Sequence, residues 1–314
     1  MSATTRAERA PRSRWRALIW AIPLALVLMA IVVLVARYLT GLPAVESFMT
    51  TYPGESALPA TTEPGFPAWV QWQHALNAFF LLLIVKSGWQ VRSKKRPPAF
   101  WIRQNHGPIR TINPPVRIGI STWLHLAVDI LFVVNGLLFY VLLFGTDQWT
   151  RVVPVNWDVF PNAVSTAIQY ASLNWPMNDG WNNYNALQLL SYFVTIFIAA
   201  PIAIVTGVRM MPGLAYRLRG LDRVFPLPVA RVTHVVVMVY FVAFTIVHVT
   251  LVLSTGALRN LNHMYAGRDD ESWIGFVIFA ITVVIMIVLW LGARPAIVGP
   301  IAELTGKVRY SSGR

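Results

Sequence analysis

The chain contains no cysteine. That excludes disulfides, thiolate-bound iron–sulfur clusters and thioether-attached c-type haem. Any metal centre must draw on His, Met, carboxylate or backbone ligands. Charge is also scarce. Only 12% of the 314 residues are Asp, Glu, Lys or Arg, against roughly a quarter in a soluble domain. Acidic residues are the scarcer kind, 13 against 26 Lys and Arg, for a net charge of +13. What fills the space is apolar: 56% of the chain is hydrophobic. Several apolar runs exceed the ~18 residues that mark a bilayer span. The fold class expected is all-α, a polytopic membrane protein. In that class a basic excess belongs to the loops on one side of the membrane and does not point to nucleic acid.

Six spanning helices are predicted at about 17–39, 69–91, 118–145, 184–208, 229–253 and 272–293. The first follows a basic tail, Arg6, Arg9, Arg12, Arg14 and Arg16. Its apolar stretch is long for a signal peptide and no A-x-A site follows, so it reads as an uncleaved helix. Lys and Arg alternate strongly between loops. The 92–117 loop has seven, the 209–231 segment five and the tail from Arg294 four. The intervening segments 40–68, 146–183 and 254–271 hold only Arg151, Arg259 and Arg268, with nine acidic residues. The positive-inside rule then puts both termini in the cytoplasm of a multi-pass cell-membrane protein. Three parts follow: residues 1–68 with the first helix and an outer loop, 69–253, and 254–314 with the last helix and a cytoplasmic tail. The outer segment 146–183 is long, aromatic and acid-rich, which suggests a docking surface for an extracytoplasmic oxidoreductase, with the 92–117 loop as the alternative site for a cytoplasmic partner.

The polar residues inside the spans carry the functional signal. The stretch "RVTHVVVMVYFVAFTIVHVT", 231–250, holds His234 and His248 fourteen residues apart. Fourteen steps of about 100° return to nearly the same helix face, roughly 21 Å along the axis. The second helix carries His74 near its outer end, and the third carries His125 near its inner end. Depth therefore pairs His74 with His248 and His125 with His234. Two bis-histidine sites stacked across a core of about 30 Å suit two b-type haems, each held by imidazoles from facing helices. Zinc or copper would want three or four clustered ligands. Asp129, one turn after His125, reads as a carboxylate that orients an imidazole or a neighbouring polar group. Arg117, Arg209 and Arg231 lie at the inner depth, where haem propionates need cations. His106 and His263 fall in loops, where packing is the expected role. A transporter or proton path lined by histidines is the alternative, and it would call for broken helices and more intramembrane charge.

Two His-bearing helices followed by His-x13-His, with "RTINPPVRIGISTWLH" at 110–125 and "FIAAPIAIVTGVRM" at 197–210, resemble the prokaryotic dihaem cytochrome b family. That family comprises membrane subunits of hydrogenases, formate dehydrogenases and thiosulfate reductases. The two stretches look most like the thiosulfate-reductase type. The resemblance covers about 69–253. It implies a four-helix haem-binding bundle whose first histidine pairs with its last and whose second pairs with its third. Carried over, these are His74–His248 and His125–His234. It also implies electron transfer between the quinone pool, menaquinone or ubiquinone, and a partner oxidoreductase, often a molybdopterin enzyme. The extra first helix inverts the bundle relative to the formate dehydrogenase type.

Overall fold

The structure, a computed structural model, describes residues 14–311 except 61, 94–95, 107–109, 113, 176–179 and 215–218. Arg6, Arg9, Arg12, Lys94, Lys95, Asp179, Arg217 and Arg314 lie outside the described residues. Among the described residues, six helices are long and apolar enough to cross a membrane: Ile19–Thr40, Ala68–Arg92, Ile120–Gly145, Ala186–Met210, Leu227–Ser254 and Ile274–Gly292. They are termed the first to sixth spans. Each matches its predicted range within a few residues. The protein is an all-α, polytopic membrane protein. Most side chains on these helices face outward, as expected where the solvent is hydrocarbon and apolar surface needs no cover.

Backbone packing runs closely along the second and third spans and along the fourth and fifth. Between these two pairs it is sparse. The bundle is therefore two helical hairpins facing each other across a gap. The sixth span leans on the second, where Lys86 donates to the carbonyl of Trp290 and sits 5.0 Å from that ring's centre. The first span is exposed nearly all round until Ala36. There Arg37 donates to Ser172 O at 3.1 Å and ties it to a helix of the acidic face, Val159–Ala171.

The fourth span is not a uniform α-helix. Ala186–Phe193 passes through a π-helical segment, Val194–Ala199, into Ala200–Met210. Pro201 explains the widened turn, because its ring nitrogen cannot donate and its ring crowds the carbonyl four residues back. In a membrane the freed carbonyls need partners. Tyr140 of the third span donates to Ile196 O at 2.7 Å. The span starts with a reciprocal cap. Gln188 N donates to Asn185 Oδ1 at 2.8 Å, and Asn185 N donates to Gln188 Oε1 at 3.2 Å.

The two faces of the bundle are closed differently. On the basic face three short strands, β1 (Ala99–Arg103), β2 (Ile118–Gly119) and β3 (Gly306–Tyr310), form an antiparallel sheet in the order β2-β1-β3. A helix, Pro295–Glu303, packs on it through Val298 and Ala302, beside Ala99 and Ile120. The basic loop and C-terminal tail are thus joined rather than free. On the acidic face the segment 146–183 folds back onto the bundle. Gly54 N donates to Asn162 Oδ1 at 2.9 Å, and Thr166 donates to Gly54 O at 3.0 Å. Arg151, 2% exposed, donates to the carbonyls of Gly65, Gly180 and Trp181, and lies over the rings of Phe66 and Tyr184. A buried guanidinium is tolerable only with such partners, so Arg151 fastens three loop segments at one point. Near it burial pushes the Tyr184 phenol up to about 12.

Candidate functional site

The four intramembrane histidines meet in the two pairs that depth implies. His125 of the third span faces His234 of the fifth, with ring centres 6.2 Å apart. His74 of the second faces His248 of the fifth, also at 6.2 Å. Both pairs bridge the gap between the hairpins, where the backbones themselves scarcely touch. An imidazole nitrogen binds a metal at about 2 Å and the ring centre lies about 1.1 Å behind it. Two imidazoles on opposite sides of one ion therefore have centres roughly 6.2 Å apart. Among the described residues no three or more His, Asp or Glu side chains gather into a metal site of their own.

The pair near the basic face is held from within its own hairpins, in the same way on both sides. Ser87 Oγ lies 2.9 Å from His125 Nδ1 and also reaches Leu83 O at 2.7 Å. Thr206 Oγ1 lies 2.8 Å from His234 Nδ1 and reaches Ile202 O at 2.6 Å. Each hydroxyl can donate to its own helix carbonyl and at the same time accept from the ring's Nδ1–H, so it answers its helix and holds the ring together. With Nδ1 engaged, Nε2 is left for the facing side. A glycine follows each hydroxyl. A Cβ at Gly88 would stand 3.2 Å from His125 Cε1, and one at Gly207 would stand 3.6 Å from His234 Cε1. The His125 ring thus lies in a cradle that a side chain at Gly88 would crowd, while Gly207 leaves room for a methyl beside His234. Asp129 Oδ2 is 3.7 Å from His125 Nε2, beyond hydrogen-bond reach. The orienting role expected of Asp129 belongs to Ser87 instead.

The pair near the acidic face is held by rings. Phe244, one turn before His248, stacks on it at 5.6 Å and 8°. Tyr192 meets the same imidazole edge-on at 6.0 Å, and Tyr265 meets His74 at 5.7 Å. Gln73 Oε1 and His74 Nδ1 are buried without a hydrogen-bond partner among the described residues. Such atoms cost about 1–3 kcal/mol each unless something satisfies them. A cavity opens here, lined by His74, His248, Tyr184, Tyr192, His263 and Tyr265 among others.

The three cations expected at propionate depth differ. Arg209 is buried, donates to Phe225 O at 3.0 Å and pairs with Asp222, while its Nη1 has no hydrogen-bond partner among the described residues. Arg231 is exposed. Arg117 is exposed too and lies over Phe100, 3.8 Å from the ring centre. His106 stays in its loop, 2.7 Å from Gln104 Oε1. His263 packs as expected, 4% exposed and 5.2 Å from Trp181, but it also reaches the cavity. The residues that sequence reasoning missed are Ser87, Gly88, Thr206 and Gly207. Their signal was a hydroxyl–glycine dipeptide in each of two apolar helices, "KSGW" and "VTGV". No protein-family model, curated protein or solved structure matches this chain.

Proposed function

We propose that the protein is a membrane dihaem b-type cytochrome subunit, carrying electrons between the quinone pool and a partner oxidoreductase. The observation that carries this reading is the pair of facing histidine couples, each with ring centres 6.2 Å apart, set across a gap between two hairpins. Haem, when bound, supplies the one-electron chemistry. The chain's own residues do the rest. His74 and His248 would ligate one haem, and His125 and His234 the other. Ser87 and Thr206 fix the rings near the basic face, and Phe244, Tyr192 and Tyr265 fix those near the acidic face. Arg209, with a guanidinium nitrogen to spare, is the best placed of the three arginines for a propionate. A haem held by two histidines would be suited to electron transfer rather than oxygen chemistry. Menaquinone or ubiquinone as the mobile carrier, and a molybdopterin-type partner, rest on the family resemblance.

The test is haem content. Protein purified from a haem-replete host should give two b-type haems per chain by pyridine haemochrome assay. A colourless, folded protein would sink the reading.

The loop charges further assign both termini to the cytoplasmic side of the cell membrane. Cysteines introduced at Ala57 and Ala167, both exposed on the acidic face, should react with an impermeant thiol reagent in whole cells. One at the exposed Ser93 should not. The native chain has no cysteine, so no background arises. The reverse labelling pattern would invert the protein.

A further inference from the structure

Where the first span ends, a pocket of about 600 Å³ opens between it, the short helix Pro43–Thr51 and the end of the helix Val159–Ala171. That size falls in the range of small-molecule sites. The pocket shares no lining residue with the cavity beside His74 and His248. Arg37 and Glu46 both line it, yet among the described residues neither is in an ion pair. On this face the positive-inside rule supplies no cation. The other described arginines here have their partners. Arg151 donates to loop carbonyls, Arg259 pairs with Asp269, which also holds His263, and Arg268 pairs with Asp270. Arg37 and Glu46 are therefore an unmatched cation and an unmatched anion on the walls of one pocket.

The walls are built to hold these charges in place. Arg37 sits in the last turn of the first span, and its Nε donates to Ser172 O at 3.1 Å. The guanidinium is thereby anchored, with its Nη groups left for a ligand. Glu46 is exposed in the first turn of the short helix. Gln169 belongs to the same wall, and its Oε1 is buried without a hydrogen-bond partner among the described residues. Leu173 adds an apolar edge. Its φ of 59° is left-handed, at a helix end where glycine is the usual residue. A leucine held there under strain, with its side chain 53% exposed on the pocket, is a side chain with a use.

We propose that this pocket binds the headgroup of phosphatidylethanolamine, with Arg37 on the phosphate and Glu46 on the ammonium. A cation alone would take any phosphate. A cation and an anion on opposite walls select a zwitterion. Phosphatidylglycerol would satisfy Arg37 and bring no cation to Glu46. Phosphatidylcholine has the charge, but its quaternary ammonium has no N–H to donate. The depth of the site argues for a lipid over a water-borne phosphoester. The pocket lies at the end of a span, and one to two turns below it the exposed Val32 and Val35 offer an apolar flank along which acyl chains can lie. The inference stands apart from the haem reading.

Native mass spectrometry of the full chain in detergent measures the binding directly. Phosphatidylethanolamine, phosphatidylcholine and phosphatidylglycerol with the same acyl chains are titrated separately. The first should bind roughly tenfold more tightly than the other two, as one charge-assisted hydrogen bond predicts. Glu46→Gln, at an exposed position, should erase that preference. Glu46→Lys should turn it toward phosphatidylglycerol. Arg37→Gln should weaken all three lipids alike. Equal affinities in the native chain, or a preference that survives Glu46→Gln, overturns the proposal. Soluble glycerophosphoethanolamine has the same headgroup without chains. It should compete only at a concentration roughly a hundredfold higher, because it buries no hydrocarbon. Competition at equal concentration would assign the pocket to a water-borne phosphoester and overturn the lipid.

Discussion

Protein with His248 replaced by alanine is expected to bind one haem where the native chain binds two. The reasoning is geometric. His248 faces His74 alone among the intramembrane histidines, and the other couple lies about fourteen helical residues away, roughly 21 Å along the axis. His125 and His234 keep their own hydroxyl anchors, Ser87 and Thr206, which do not touch the acidic-face site. The two sites should therefore empty independently. A haem left with only one of its two histidines would be held weakly, and purification should strip it. His125→Ala should remove the other haem and leave the first. The pyridine haemochrome ratio gives the count, and redox titration of the absorbance shows which component is lost. Two haems in His248→Ala, or none, would break the assigned pairing.

The spans and the histidine pairs were legible in the sequence because both follow from local periodicity. An apolar run long enough to cross a bilayer has few other uses. A fourteen-residue spacing returns to one helix face whatever the neighbours do. Long-range partners were not legible. Ser87 acts on a residue 38 positions on, and its own helix gives no reason to single it out from other polar residues near span ends. The sheet on the basic face pairs Ala99–Arg103 with Gly306–Tyr310, about two hundred residues apart, so neither short segment announced a strand. Pro201 did announce a disturbance in the fourth span. Only the structure shows it absorbed as a π turn whose carbonyl Tyr140 satisfies.

The 146–183 segment teaches a different point. Its length and aromatic content suggested a docking surface in the sequence. In the fold, Asn162, Ser165, Thr166 and Ser172 are buried, and Arg151 locks the segment to Gly65 and Trp181. The length serves the cap over the cavity, so it no longer argues for a partner on that side. The same cap places Trp181 against His263. An expectation of simple packing for that histidine was sound locally. It missed the carboxylate six residues on, whose contact depends on the turn between them.

The glycine cradles yield the second large effect. A Cβ at Gly88 would stand 3.2 Å from His125 Cε1, tighter than most real Cβ contacts, so the ring would have to give, while one at Gly207 would meet His234 at an ordinary 3.6 Å. The two glycines look alike in sequence, each following a hydroxyl residue, yet they should respond differently. Gly207→Ala is expected to keep both haems. Gly88→Val adds branched bulk where the ring must lie, and overpacking of this kind costs about 1–3 kcal/mol. The ring can escape only by swinging away from Ser87 Oγ, which breaks the 2.9 Å contact that fixes its Nδ1. His125 would then no longer face His234. Gly88→Val should therefore lose the haem of that couple and keep the one at His74–His248, giving one haem per chain. Valine should leave the helix itself intact, since β-branched residues cost little in an apolar span. Two haems with an unchanged spectrum in Gly88→Val would mean that His125 does not depend on the cradle. Loss of both would mean that the two sites are coupled through the hairpin rather than independent.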